Sequence, residues 1–561
     1  MTTEHAATYN SLHLSSKFRV ATPVNWKQDQ NVTQPTNLGR MLRQSAERTP
    51  QKPAIICGNR VVSYEALDRS TDALARWLLR EGLQIGDHVA LLWCNSVELV
   101  NLYFACFKAG LIAVPVNNRL KATEIAYILG HSKAKLCFSQ PELASLCEEV
   151  HADCPDLQRI YTTVAPLETT EPGNAGLPEI TPDRVAAILY TSGTTARPKG
   201  VMHTHISLIA AAGLMCSLGL DETHTLLAVT QMVHIAALIS VLLPGIANGG
   251  TVVLLPSFDA SQSLDLVERW RCSYLFILPA MLRFVVEEQS RNPREVSSLR
   301  LCLAGGDTVP VTLQERFRSL FGVPIRETFG MTETTAVTSI REGAPRNGSV
   351  GPALDLVDTR VADLAGKVVT DDHVGELQVQ SPANCVGYWD DPRATAATFN
   401  DGWLRTGDLV RRDADGFFWF EGRVKEIIIR GGSNISPQEV EETLYHHPTV
   451  LEAGVIGMPD PVHGEKVIAF VALRDGLTVG EEELQDLVRS RVADYKTPER
   501  IAFLPVLPKG PTGKVERRAL KDLALSSREC MVRCTTASEK RRVDRQICAN
   551  VFGLCVEGRF S

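Results

Sequence analysis

The densest chemistry lies in Tyr190-Thr191-Ser192-Gly193-Thr194-Thr195-Ala196-Arg197-Pro198-Lys199-Gly200, which packs hydroxyls, glycines and two cations into eleven residues. The aliphatic run Val185-Ala186-Ala187-Ile188-Leu189 precedes it and reads as a buried strand. A strand that empties into such a loop suits a polyphosphate: backbone N–H groups and hydroxyls donate hydrogen bonds, and the cations offset charge. It is not a Walker P-loop, because Pro198 and Lys199-Gly200 occupy the places where that pattern needs its own Gly-Lys-Ser/Thr ending.

Further segments add complementary chemistry. Glu327-Thr328-Phe329-Gly330-Met331-Thr332-Glu333-Thr334 sets an aromatic, a glycine and a hydroxyl–carboxylate pair on one short stretch. The ring can stack on a base, the glycine admits close backbone approach, and Glu333 is a hard oxygen ligand suited to Mg²⁺ on phosphates. In Ala304-Gly305-Gly306-Asp307-Thr308 a strand ends in paired glycines, against which a flat ring can lie. In Trp403-Leu404-Arg405-Thr406-Gly407-Asp408-Leu409 the Asp408 carboxylate, expected on a turn, can accept both hydroxyls of a ribose. Leu507-Pro508-Lys509-Gly510-Pro511-Thr512-Gly513-Lys514-Val515 holds Lys514 behind a rigid, glycine-flanked turn. An ammonium placed there would stabilise a carboxylate–phosphate transition state, where two anions meet. Met232 to Leu238 sets His234 in an apolar run beside the small Ala236 and Ala237.

In this order the motifs resemble those of the acyl-adenylate-forming superfamily, which includes acyl-CoA synthetases, nonribosomal-peptide adenylation domains and beetle luciferases. The resemblance covers roughly residues 38–523. It implies that Thr191, Ser192, Gly193, Thr194, Thr195 and Lys199 hold the phosphates of ATP, with Gly305 and Gly306 as adenine and acyl walls. Phe329 would stack on adenine, Thr332 would meet the α-phosphate and the acyl carboxylate, and Glu333 would hold Mg²⁺. Asp408 would bind the ribose, and Arg423 both ribose and phosphate. The same resemblance makes Lys425 a hinge, Gly431 and Gly432 the lining of a coenzyme A channel, and His234, Ala236, Ala237 and Gly330 the acyl pocket. The implied catalytic residues are Lys514, Thr332, Glu333 and His234.

Three departures stand out. Ala196 replaces the family's usual glycine; if that position has positive φ, an L-residue costs roughly 1–2 kcal/mol there. Phe329 stands where tyrosine is more common, and Glu426 where aspartate is.

The implied reaction joins a carboxylic acid to AMP from ATP·Mg²⁺ and then passes the acyl group to the thiol of coenzyme A. A medium- or long-chain fatty acid is the expected substrate. An aryl acid, a carrier-protein acceptor, a luciferase-type oxidation and a non-catalytic nucleotide-binding protein are the alternatives.

The elements that must position these residues follow from length and pattern. At 561 residues the chain exceeds the size, about 250–300 residues, at which a single core stops growing. The expected class is α/β, with a large N-terminal domain of parallel-rich sheets flanked by helices and a smaller, mobile C-terminal α/β domain. Val89–Trp93, a helix opened by Ser96 and stopped by Gly110, and a strand over 112–116 make a strand–helix–strand unit, which predicts a parallel sheet. Ser63 caps a helix with Leu67, Leu74 and Leu78 on its apolar face and Gly82 past its end. After residue 345 the texture changes to short strands and turns, such as Val374 to Gln380 and Phe417 to Glu421. The charged Gly422-Arg423-Val424-Lys425-Glu426 lies between two apolar runs and marks the domain boundary. The expected division is a polar leader over 1–35, an N-terminal domain over 36–424, a mobile domain over 425–523, and an unassigned tail over 524–561.

The net charge of −7 comes without a basic stripe, which argues against nucleic acid and requires a bound nucleotide to be held by local donors. No secretory signal and no peroxisomal tripeptide is visible, so a cytoplasmic location is expected. The uncharged stretch from Thr223 to Phe258 is interrupted by Pro244, Gly245, Asn248, Gly249 and Gly250, and reads as helix, turn and buried strand rather than a membrane span. Fourteen scattered cysteines without a Cys-x-x-Cys pair read as reduced thiols. The spacing of Cys530, Cys534, Cys548 and Cys555 is too irregular for zinc. A homodimer is left open.

Overall fold

The computed structural model of the chain describes residues 35–164, 176–191, 198–341, 346, 348–363, 365–370, 372–430, 433–510 and 513–534. Two parallel-rich sheets organise the larger part. One has eight strands, running in space Thr335–Ser339, Ile325–Met331, Leu301–Gly305, Tyr274–Ile277, Thr225–Ala228, Thr251–Leu254, Pro53–Cys57 and Arg60–Ser63. Its centre is parallel, and antiparallel partners close both edges. The other has six strands, in the order Arg159–Tyr161, Leu136–Ser139, His88–Leu92, Ile112–Pro115, Val185–Thr191 and Lys199–Thr204. Its last pair, which flanks the phosphate-loop sequence, is antiparallel.

Side-chain alternation builds layers on these sheets. On the first, Ile55, Leu226, Val252 and Leu303 face a core shared with the second sheet, while Ile56, Leu227, Val253 and Cys302 face an outer cluster under the helices Ala260–Trp270, Pro279–Arg291 and Val311–Phe321. On the second sheet, Val89 and Leu91 join the shared core and Ala90 and Leu92 the opposite face. The helix Val97–Ala109 is buried on nearly every side within that shared core, which matches its largely apolar sequence, and its buried Lys108 is paired with Asp68 and Asp72. Its ends match its sequence: the Ser96 side chain accepts from the Leu99 N–H, and Gly110 stops it at φ +72. The helix Tyr64–Arg80 is likewise capped by Ser63.

A third, antiparallel sheet comprises Ser349–Pro352, Phe417–Arg423, Trp403–Arg412, Val374–Gln380 and Asp358–Ala362. The C-terminal unit has its own sheet, built on the long pair Val450–Asp460 and Gly464–Leu473, with separate apolar clusters on its two faces.

Two sequence expectations are corrected. The expected end of the C-terminal unit at residue 523 falls inside a helix, Arg517–Cys534. Leu520 and Ala524, at i and i+4, are buried beside Phe470 and Leu507, so the apolar stripe crosses that boundary. Asp408 is not on a turn but within the strand Trp403–Arg412, following Gly407 at φ +73.

The uncharged Thr223–Phe258 stretch folds as the strand Thr225–Ala228, a helical run from Ile235 to Asn248, and the strand Thr251–Leu254. The middle of that run, Leu238–Leu242, has π-helical pairing immediately before Pro244, which has no N–H to continue an α-helical ladder. Among the described residues no helix is long and apolar enough to cross a membrane. The ten cysteines from Cys57 to Cys385 are free thiols, and among them only Cys57 and Cys94 are not buried.

Candidate active site

A cleft of about 1020 Å³ opens between the larger part and the C-terminal unit. Gly306, Phe329, Gly330, Asp408, Arg423, Lys425 and Lys514 all line it, although they come from segments up to about two hundred and eight residues apart. Apart from Asp408, which lies mid-strand, each owes its place to a strand end or a turn. Gly305 ends its strand, and Gly306 turns the chain with φ +86. Phe329 sits near the end of Ile325–Met331, its ring 6.1 Å from that of Phe420 with 28° between the planes, and both rings face the cleft. Two glycines here answer to backbone crowding as well as to any ligand: a Cβ on Gly305 would lie 2.5 Å from the Thr328 carbonyl oxygen, and one on Gly330 only 2.1 Å from that of Thr335.

Asp408 and Arg423 are partners across two antiparallel strands, and Arg423 Nε donates to Asp408 Oδ1 at 3.0 Å. Asp408 is almost fully buried. Burial raises its carboxyl to about 6, against the opposing pull of the Arg423 and Lys514 charges. Lys425 lies in the turn that follows; the Glu426 carboxylate accepts from Arg517 at 3.0 Å and its N–H donates to the Arg423 carbonyl. Lys514 is exposed to the cleft from a small hairpin in which Lys509 pairs with Val515 and the Gly510 N–H donates to the Lys514 carbonyl.

The second group lies deeper. Thr191 and Lys199 face each other as the last and first residues of two antiparallel strands. Ser192, Gly193, Thr194, Thr195 and Ala196 lie outside the described residues, as do Gly431 and Gly432. Lys199 Nζ sits 4.8 Å from the centre of the Tyr388 ring, and the Tyr388 hydroxyl donates to Glu333 Oε1 at 2.7 Å. One aromatic thus connects the cation beside the loop to the candidate metal ligand. Glu333 is buried, and no cluster of three or more His, Cys, Asp or Glu side chains able to hold a metal occurs among the described residues. Such a lone carboxylate fits Mg²⁺ carried on phosphates rather than a metal caged by protein. Thr332 is held by its backbone: His203 Nε2 donates to its carbonyl at 2.7 Å, and burial lowers the His203 imidazole to about 4, keeping it neutral.

His234 precedes the short helix Ile235–Ala237 and is half-buried; burial, then the Arg119 charge, lowers its pKa. His234, Ala236 and Ala237 do not line this cleft.

Sequence reasoning missed Tyr388, His203 and Glu327. Glu327 is buried and accepts from the Val309 N–H at 3.2 Å and from Gln314 Nε2 at 2.7 Å, clamping the chain just after Gly305-Gly306. Its burial pushes the carboxyl up to about 7. Glu327 opens one quoted motif, and Gly387-Tyr388-Trp389 carries two adjacent aromatics after a glycine, which is the signal that was available.

An aromatic wall, a buried carboxylate paired to arginine, and an exposed lysine in one cleft suit a nucleotide whose phosphate is under attack. Comparison with known proteins agrees. Residues 42–389 match the model of the AMP-binding enzyme family, and residues 439–514 match that of the AMP-binding enzyme C-terminal domain. A sulfoacetate–CoA ligase of Cupriavidus necator is 32% identical over 86% of this chain and 97% of its own length. A fatty acid–[acyl-carrier-protein] ligase of Streptomyces coeruleorubidus is 34% identical over 85% of this chain and 94% of its own. The crystal structure of an anthranilate CoA ligase in complex with anthranoyl-AMP superposes with a TM-score of 0.83 at 28% identity, covering 88% of this chain and 99% of that one.

Proposed function

The chain belongs to the AMP-binding enzyme family, and we propose that its cleft joins a carboxylic acid to coenzyme A through an acyl-adenylate. It is an acid–thiol ligase of the AMP-forming type, with ATP, an acid and a thiol as substrates. In the first half-reaction an acid carboxylate oxygen attacks the α-phosphorus of ATP, and the bond to pyrophosphate breaks. In the second, the thiol sulfur attacks the acyl carbon, AMP leaves, and the thiol proton is lost. A carboxylate is a poor electrophile at neutral pH, and the mixed anhydride supplies the leaving group.

The observation that carries this reading is Lys514 in the same cleft as Phe329, Asp408 and Arg423. Phe329 takes the adenine face, Asp408 the ribose hydroxyls, and Arg423 the ribose and α-phosphate. Lys514 places an ammonium where charge develops between carboxylate and phosphate. Thr191 and Lys199 flank the loop that holds the β- and γ-phosphates. Glu333 would hold Mg²⁺, which, when bound, neutralises phosphate charge. Rotation of the C-terminal unit about Lys425 withdraws Lys514 and admits the thiol past Gly431-Gly432.

The acid is apolar. A medium- or long-chain fatty acid is the first reading, supported by the buried apolar run that follows His234. An aryl acid is the second, supported by the likeness to a structure that holds an aryl adenylate. Pyrophosphate release with ATP and Mg²⁺ tests both, across fatty, aryl and amino acids with and without coenzyme A. Acid-dependent release that turns over faster with coenzyme A is the expected result. Release indifferent to coenzyme A would move the acceptor to a carrier protein, and no release with any acid would overturn the ligase assignment.

A further inference from the structure

We propose that Glu452 is a positioning residue for the adenylation half-reaction, fastening the hairpin that carries Lys514 to the larger part of the molecule through Arg283. This rests on the two-arrangement reading of the ligase above. Glu452 lies on the strand Val450–Asp460, with its side chain only 8% exposed. Its Oε1 accepts from two cations at once: Lys509 Nζ at 2.6 Å and Arg283 Nη2 at 3.0 Å. Arg283 Nη1 also donates to the neighbouring Leu451 carbonyl at 3.1 Å.

These partners stand in different bodies. Arg283 belongs to the helix Pro279–Arg291, which packs on the eight-stranded sheet. Lys509 opens the hairpin in which it pairs with Val515, the Gly510 N–H holds the Lys514 carbonyl, and the Glu516 N–H holds the Pro508 carbonyl. Ala280, one helical turn before Arg283, meets the far side of the same hairpin: a Cβ on Gly513 would stand 3.7 Å from that of Ala280. One face of one helix therefore meets the hairpin at two points that precede Lys514, at Gly513 directly and at Lys509 through Glu452. Among the described residues, no other side-chain hydrogen bond involves residues 508–516. The other polar contacts between the two bodies, such as Gln438 with Thr308, do not touch the hairpin.

A carboxylate shared by two hydrogen-bonded cations, in a partly dehydrated interface, is a strong and directional contact. It must break when the C-terminal unit rotates, because Arg283 stays behind while Glu452 and Lys509 leave together. Its loss therefore acts on adenylation and spares thioester formation, a split that a general loss of stability does not produce.

The full-length chain decides this with Arg283→Ala, Glu452→Gln and the conservative Arg283→Lys. Acid-dependent pyrophosphate release should slow roughly tenfold or more in the first two, as for one lost charge-assisted hydrogen bond, and recover in part with Arg283→Lys. Thioester formation from supplied acyl-adenylate and coenzyme A should stay within about twofold, since the contact is absent from that arrangement. Equal loss in both half-reactions, or none in either, overturns the proposal.

A second arm needs no activity. In an Ala280→Cys/Gly513→Cys background the Cβ spacing suits a disulfide. Oxidation with diamide should close it, and adding Arg283→Ala should slow closure severalfold. Gly513 has φ +82, so rates are compared only among variants that share its substitution. Unchanged closure overturns the latch. If the parent chain makes no adenylate from any acid, the ligase reading fails while this arm still decides the contact.

Discussion

Replacing Asp408 with asparagine separates what this carboxylate does for binding from what it costs the fold. Asp408 is 3% exposed, and its carboxyl is raised from the usual 3.8 to about 6, chiefly by burial. Its pairing with Arg423 and the nearby Lys514 charge recover only part of the lost hydration. The sign follows from linkage. The folded chain holds this proton more tightly than the unfolded chain, so the stability it contributes is complete below about pH 4 and is lost as pH rises through about 6. The gap of about two units, at about 1.4 kcal/mol each, makes the ionised side chain cost about 3 kcal/mol at neutral pH. Asparagine keeps the shape without the charge, and half-exposed Arg423 can turn to water. Melting curves from pH 4 to pH 8 should therefore show Asp408→Asn matching the parent at the acid end and exceeding it above pH 6, with a gap approaching ~3 kcal/mol. Calorimetric AMP binding should move oppositely. Affinity in the parent should rise as pH passes about 6, when the carboxylate becomes the better acceptor for ribose hydroxyls, and Asp408→Asn should bind weakly at every pH. A stability gap that does not vary with pH, or parent AMP binding that is flat through pH 6, would refute the reasoning.

Lys514→Ala should lower the adenylation rate by at least ~10²-fold, as for the loss of one preorganised electrostatic contact, while thioester formation from supplied acyl-adenylate suffers far less; stopped-flow measurement of each half decides it, and equal losses would sink the two-arrangement reading. Gly330→Ala should lower the melting midpoint or abolish soluble expression, because its Cβ would meet the Thr335 carbonyl oxygen at 2.1 Å and the backbone must shift; a parent-like melting curve would show that the paired strands Ile325–Met331 and Thr335–Ser339 accommodate it.

What the sequence made legible was local or ordered. The helix Val97–Ala109 announced itself through Ser96 and Gly110, and the strand Val374–Gln380 was read to the residue, because caps and short periodic runs are written in neighbouring positions. The family resemblance carried by the ordered motifs implies one site for Asp408, Arg423 and Lys514, and all three line the same cleft. Contacts between distant segments were not legible. Tyr388 and Glu333 are 55 positions apart, and Arg283 and Glu452 are 169 apart; neither pair leaves a periodic trace. Thr406-Gly407-Asp408 reads as a turn in the sequence, and only pairing with Phe417–Arg423 draws Asp408 into a strand. The helix Arg517–Cys534 was missed past residue 523 because Leu520 and Ala524 offer too short a stripe without the facing sheet.

The strand Lys199–Thr204, which follows the hydroxyl- and glycine-rich segment, is held on its outer side by a segment far downstream. The Met202 N–H donates to the Gly387 carbonyl, the Val386 N–H to that of Met202, and the Trp389 N–H to that of Gly200. During synthesis the ribosome must therefore deliver almost two hundred further residues before this strand gains its second neighbour. Pairing of such high sequence separation forms late, and it brings Tyr388 to Lys199 and Glu333 in the same event. A nascent chain is thus a partly built sheet without a finished nucleotide site, and competence for ATP arrives near the completion of the large domain rather than with the loop that names it.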